Sequence, residues 1–291
     1  MPELPEVEIV VRGLRETIVG ETIARVRINA LAKSMFVSPS LTCPVFNGDS
    51  GDFARSLEKR QIQSVSRRGK NILISLSGNV TLWVHLKMTG HFAYVKRTDP
   101  IDKHDLIVFD FKSTKQKRQR LHLRFNDYRR FGRLRLFYDH ELWEQKGLAD
   151  LGPEPLEISA GDFVKLCKRR NRMIKPALLD QSFLAGLGNI YADESLYYSK
   201  IHPKRITSSL SAKKLTELHG HIQSVLRRAI KLMGTSVDSY RGVNGRAGRF
   251  QKYLKVYNRE GQPCERCGTK IVRQKIGSRS AHLCPRCQRR R

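Results

Sequence analysis

Between Glu6 and Ile18 the apolar residues Val7, Val10, Val11, Leu14 and Ile18 recur at spacings of 3, 1, 3 and 4, one stripe of an amphipathic helix with an acidic first turn. Further along, the period falls to two. The segments NILISL (71–76), TLWVHL (81–86), DLIVFDF (105–111), LHLRF (121–125) and RLRLFY (133–138) read as strands, with Gly, Asn or Asp breaks between several of them. Many short strands without intervening helices predict an antiparallel sandwich or barrel. After Leu151-Gly-Pro-Glu-Pro-Leu156 the periodicity turns helical, and Leu215, Leu218, Ile222, Val225, Leu226, Ala229, Ile230 and Met233 form the strongest helical stripe in the chain. A glycine-dotted stretch, 234–248, leads into a cysteine-rich end. The pattern predicts an α+β chain in three parts: a β-rich part over 1–150, a helical part over 151–248 and a small module over 249–291. There is no internal repeat.

Composition adds a partner. Lys and Arg total 55 against 27 Asp and Glu among 291 residues, a formal charge of +28. That is far more than solubility requires and points to a polyanion, nucleic acid first, with a merely solvated basic face or an anionic membrane surface as the alternatives. No run of 18 apolar residues is long enough to span a bilayer, and the start MPELPEVE is too acidic for a signal peptide, so a cytoplasmic protein is expected.

Four of the six cysteines form two pairs, Cys264-x2-Cys267 and Cys284-x2-Cys287, separated by 16 residues. This is zinc-ribbon spacing: each turn offers two thiolates, and four thiolates close a tetrahedron around one structural Zn2+ with no position open for catalysis. Arg273, Lys275, Arg279 and Arg286 surround the pairs and suit phosphate contact. Cys43 and Cys167 are left over and expected to be inert. Upstream, Gly186, Gly188 and Asn189 precede a new helix after the basic run Lys168, Arg169, Arg170 and Arg172. The backbone N–H groups at that helix start are expected either to cradle a DNA phosphate or simply to be capped.

In order and spacing, Pro2-Glu-Leu-Pro-Glu-Val-Glu8, Arg68-Gly-Lys70, His85-Leu-Lys-Met-Thr-Gly90, Arg129-Arg-Phe-Gly132, the segment AGLGNIYADE (185–194) and the four cysteines resemble the formamidopyrimidine-DNA glycosylase family over essentially the whole chain. The resemblance implies an N-terminal β-sandwich flanked by helices, a helix–two-turn–helix domain and a C-terminal zinc-ribbon finger. It also implies a monomeric base-excision repair enzyme that acts on double-stranded DNA containing oxidised purines or abasic sites, nucleoid-associated when bound. An endonuclease VIII-like preference for oxidised pyrimidines is the nearest alternative, and a non-catalytic zinc-ribbon DNA-binding protein a more distant one.

Loss of Met1 would free the secondary amine of Pro2. A terminal amine with pKa near 8 is about 10% neutral at pH 7, against about 0.04% for a lysine. Such an amine can attack the sugar C1′, displace the base and, as an iminium, acidify the C2′ proton so that the strand is cleaved by elimination. By resemblance, Glu3 protonates the sugar ring oxygen with support from Glu6, Lys70 assists β-elimination, and Arg279 serves δ-elimination and phosphate binding. Base extrusion leaves a hole in the stack, which Met88, Arg129 and Phe131 would fill, with Arg129 pairing to the orphan base. His85, His104, Arg170 and Asn189 complete the expected DNA contacts, and the 236–250 stretch would close over the flipped base. Lys87 stands where many family members carry Gly, Tyr128 where Pro is usual, and 112–120 is a long basic connection expected to be a solvated hairpin tip.

Overall fold

The computed structural model describes residues 1–32, 50–112, 121–236, 242–243, 245 and 247–290. Helix α1 runs from Leu4 to Ile18, and its apolar stripe is fully used: Val7, Val10, Val11, Leu14 and Ile18 are all buried. The chain divides into two compact units, the first of Met1–Pro2, Glu6–Ala149 and Met233–Gly248 and the second of Glu3–Pro5, Asp150–Leu232 and Arg249–Arg291, so the described residues of 233–248 pack with the β-rich part and not with the helical part expected over 151–248.

The first unit holds two four-stranded antiparallel sheets. One has the order β1-β6-β7-β5, with β1 Thr22–Ile28, β5 His91–Lys96, β6 Asp105–Lys112 and β7 Leu121–Asn126. The other has the order β2-β3-β4-β8, with β2 Ile62–Arg68, β3 Asn71–Leu76, β4 Val80–His85 and β8 Arg133–Tyr138. Side chains of both sheets, among them Ile72, Ile74, Val84 and Leu136 from one and Phe92, Ile107, Phe109 and Phe125 from the other, share a core with α1 and with Phe53 and Leu57 of α2 (Ser50–Leu57). Five of these strands are the five period-two segments of the sequence. The register of β1 shifts between Ile23 and Arg25, and that of β2 between Ile62 and Ser64, so the buried residues fall three apart, at Ile23 and Val26 and at Ile62 and Val65. A β-bulge thus erases the alternation by which a strand is recognised. A short helix, α3 (Asp139–Leu142), follows β8.

The second unit contains α4 (Ala160–Lys168), α5 (Ile174–Leu179), α6 (Asn189–Tyr198), α7 (Ala212–Lys231) and the two-stranded hairpin of β9 (Val272–Ile276) and β10 (Arg279–Leu283). Ser159 and Ser211 cap α4 and α7 by accepting the N–H groups of Asp162 and Lys214. The stripe predicted for the longest helix is its buried face, except that Met233 lies beyond the helix end at φ +64°. Glu194, fully buried on α6, accepts the backbone N–H groups of Lys255, Val256 and Tyr257 at 2.9 Å each and so ties the zinc-ribbon segment to the helices. No helix among the described residues is long and apolar enough to cross a membrane.

Candidate active site and nucleic-acid interface

In the first unit, Lys70 is the second central residue of a two-residue hairpin turn between β2 and β3, in which Arg68 pairs with Asn71. Gly69 occupies the first central position at φ +58°, a left-handed conformation that glycine adopts without steric cost. Asn71 pins the turn: its side chain donates to the Arg68 carbonyl at 2.9 Å and accepts from the Trp83 indole at 3.0 Å. Lys70 itself is buried. His85 lies opposite Asn71 across the β3–β4 ladder. Burial, with the charges of Lys87 and Lys70 beside it, pushes the His85 imidazole down to about 3. Its Nδ1 accepts the Lys87 N–H at 3.0 Å, so the neutral ring keeps its proton on Nε2 and presents a permanent N–H donor.

The segments carrying the expected hole-filling residues meet at one carboxylate. Asp127 is fully buried; Oδ2 accepts the Gly132 N–H at 2.7 Å, and Oδ1 accepts the Arg129 N–H at 3.2 Å and the Thr89 hydroxyl. Thr89 is the neighbour of Met88, and Arg129 and Gly132 bracket Phe131. Asp127 also donates its own N–H to the His104 carbonyl at 3.1 Å, and the His104 ring packs edge-on against Tyr128. Met88 and Phe131 are 42% and 45% exposed, so neither is a core residue, and the Arg129 guanidinium lies 4.7 Å from the Phe131 ring centroid. Lys87 adopts φ +52°, a left-handed conformation that glycine reaches at lower steric cost. Asp127 was not singled out in the sequence, where one Asp after a strand has no distinguishing pattern.

In the second unit the glycine-rich helix start takes the capped form of the two expected for it. Glu3, 3% exposed, sets its carboxylate on the N–H groups of Ile190 and Tyr191 at 2.9 and 3.4 Å, at the positive end of α6. A Cβ on Gly188 would come within 2.3 Å of the Glu3 carboxyl carbon, so this close approach requires glycine. The glycine-rich helix start therefore seats a carboxylate of the chain itself. Asn189 begins the same helix, and its Oδ1 is buried with no hydrogen-bond partner among the described residues. Glu6, buried in the first unit, accepts the Thr235 N–H at 2.7 Å. Pro2 is buried beside Glu3 in the chain, and Arg170 is exposed.

Arg279 is exposed at the start of β10, next to the hairpin turn. The strand behind it is fixed by a lysine that sequence reasoning passed over. Lys175 is 1% exposed and donates to Asp193 Oδ1 and to the Ser280 carbonyl, both at 2.5 Å, while Asp193 Oδ2 accepts the His282 N–H at 2.9 Å. The four Sγ atoms of Cys264, Cys267, Cys284 and Cys287 lie within 4.8 Å of one another, with three of the separations at 3.5, 3.5 and 3.9 Å. Four sulfurs at Zn–S bonds near 2.3 Å stand about 3.8 Å apart, so the cluster fits a tetrahedral, structural Zn2+. Cys167 is buried, which pushes its thiol up to about 12 and makes it inert. Cys43, the 113–120 connection and most of 237–246 lie outside the described residues.

Residues 1–134 match the formamidopyrimidine-DNA glycosylase N-terminal domain, 151–241 the formamidopyrimidine-DNA glycosylase H2TH domain, and 261–290 the zinc finger found in FPG and IleRS. The formamidopyrimidine-DNA glycosylases of Pelotomaculum thermopropionicum and Pediococcus pentosaceus are each 42% identical to this chain, over 99% of both sequences. Among solved structures, a complex of Lactococcus lactis Fpg with abasic-site DNA superposes with TM-score 0.85 at 33% identity, over 99% of both chains. A Lactococcus lactis Fpg variant bound to Fapy-dG-containing DNA gives TM-score 0.87. With relatives this similar along its whole length, and with the two sheets, the helical domain and the four-cysteine cluster in place, the chain belongs to the formamidopyrimidine-DNA glycosylase family.

Proposed function

We propose that this protein excises oxidised purines such as 8-oxoguanine and formamidopyrimidines from duplex DNA and then cleaves the abasic strand by β,δ-elimination. The observation that carries the proposal is the seating of Glu3 on the α6 N-terminus, which holds a carboxylate directly beside Pro2 in the chain. In this reading the Pro2 amine, freed of Met1, forms the Schiff base at C1′ and Glu3 protonates the ring oxygen. Lys70 and Arg279 assist the two eliminations. Neutral His85, together with His104, Arg170 and Asn189, holds phosphates, and Met88, Arg129 and Phe131 fill the vacated stack. Zn2+ on the four cysteines keeps the Arg279 hairpin folded and takes no chemical part. A monomeric state and a cytoplasmic, nucleoid-bound location complete the proposal.

The test is side-by-side excision on duplexes carrying 8-oxoguanine opposite C and an oxidised pyrimidine. Faster release of the purine lesion is expected. Preferential release of the pyrimidine would replace this reading with an endonuclease VIII-like one, and DNA binding without cleavage of either would remove the enzyme.

A further inference from the structure

Within the second unit, at the end of α6 away from Asn189, lies a cavity of about 680 Å³. Its walls carry Lys200, Arg205, Lys214, Arg266, Arg286 and Arg289, and no carboxylate among the described residues. Arg266 and Arg286 are each the second of the two interior residues of a Cys-x2-Cys turn, so closure of the zinc cluster brings one guanidinium from each turn to the same hollow. Arg266 is fixed: it donates to the carbonyls of Tyr197 and Tyr198 at 2.7 and 3.4 Å and stacks 4.2 Å from the Tyr197 ring centroid. Lys214 has a carboxylate partner, Glu217, at 2.9 Å. Lys200, Arg286 and Arg289 are exposed and have no carboxylate partner among the described residues.

Like charges around a concave surface repel one another, and low-dielectric walls focus their field, so an anion in the hollow relieves the repulsion. The N-cap Ser211 also lines it and brings the positive end of the 20-residue helix α7. No aromatic ring lines the cavity, which offers nothing for a base to stack on and favours a sugar–phosphate backbone over splayed bases. None of the residues assigned to the lesion duplex lines the hollow, which lies about 15 Å along α6 from Asn189.

We propose that this cavity is a second phosphate-binding site, which grips the backbone of a DNA segment other than the duplex held at the lesion. The proposal rests on the DNA-binding reading for the identity of the polyanion. The experiment uses full-length zinc-loaded protein and the Lys200→Glu/Arg289→Glu variant, both saturated with a short duplex carrying an uncleavable abasic analogue. A second short, undamaged duplex is then titrated in at low salt, and the stoichiometry is read by sedimentation.

The parent protein is expected to take up the second duplex and the variant to bind it roughly tenfold or more weakly. The salt slope on long undamaged DNA should become shallower by about 2, while excision on a short lesion duplex is unchanged. Zinc content and circular dichroism check the fold; Lys200→Glu alone, outside the cysteine turns, replaces the double variant if that one fails to fold. Undiminished second-duplex binding by the variant overturns the proposal. A parallel fall in short-duplex excision overturns it too, by assigning these cations to the lesion duplex. So does loss of tripolyphosphate binding with second-duplex binding intact, which would make the cavity a small-anion site. Second-duplex uptake by a protein that excises neither lesion would sink the enzymatic reading and leave this one standing.

Discussion

Replacing Asp127 with Asn changes one atom of a fully buried side chain that holds two loops together. The amide oxygen can keep the Thr89 hydroxyl and the Arg129 N–H, but its NH2 then faces the Gly132 N–H, donor against donor. An orphaned buried N–H costs about 1–3 kcal/mol, and the two surviving bonds lose their charge assistance, so we predict a total loss of about 2–4 kcal/mol. Urea denaturation measures that loss. The functional consequence follows from what the clasp holds: Met88 on one loop, Arg129 and Phe131 on the other. Excision of 8-oxoguanine, which needs the base extruded and the hole filled, should fall about tenfold or more at a temperature where the variant is fully folded, whereas cleavage at a ready-made abasic site falls less. General destabilisation would depress both alike. A variant within about 0.5 kcal/mol of the parent and with unchanged excision would falsify the clasp.

Lys87→Gly should stabilise the protein by up to about 1 kcal/mol in the same denaturation assay, since a left-handed residue other than glycine costs more than glycine's extra chain entropy; a loss of stability would contradict this. His85 sits near 3 when folded and near 6.5 when unfolded, so the unfolded chain takes up the proton first. Its contribution is complete above pH 6.5 and is lost as pH falls toward 3, up to about 2 kcal/mol between pH 6.5 and 5; His85→Gln should remove that part of the pH dependence, and identical profiles would refute it. Chelation of zinc, or Cys267→Ser, should unfold the hairpin carrying Arg279 and weaken DNA binding, and full affinity in metal-free protein would rule out the structural role.

The opening helix, five strands, the long helix α7 and the zinc cluster were legible because each has a period or a spacing that one face or one metal imposes. β1 and β2 were not, because a bulge in each replaces alternation by a spacing of three. The glycines before Asn189 announced a crowded helix start, yet sequence could not tell whether a phosphate or a carboxylate crowds it; the answer is Glu3, 185 residues before Gly188. Asp127 and Lys175 act through contacts between distant segments and leave no local signature. Lys87 was visible as a departure from the family, but its positive φ was not.

The central claim is that the Pro2 amine is the nucleophile, and the most direct test is borohydride trapping on a duplex carrying 8-oxoguanine opposite C, followed by mass spectrometry of the adducted peptide. The account predicts an adduct on Pro2 of a chain that has lost Met1, and no adduct on a protein whose N-terminal extension turns that amine into a tertiary amide while DNA binding persists. An adduct on Lys70 or another lysine, or undiminished lesion cleavage by the extended protein, would contradict it.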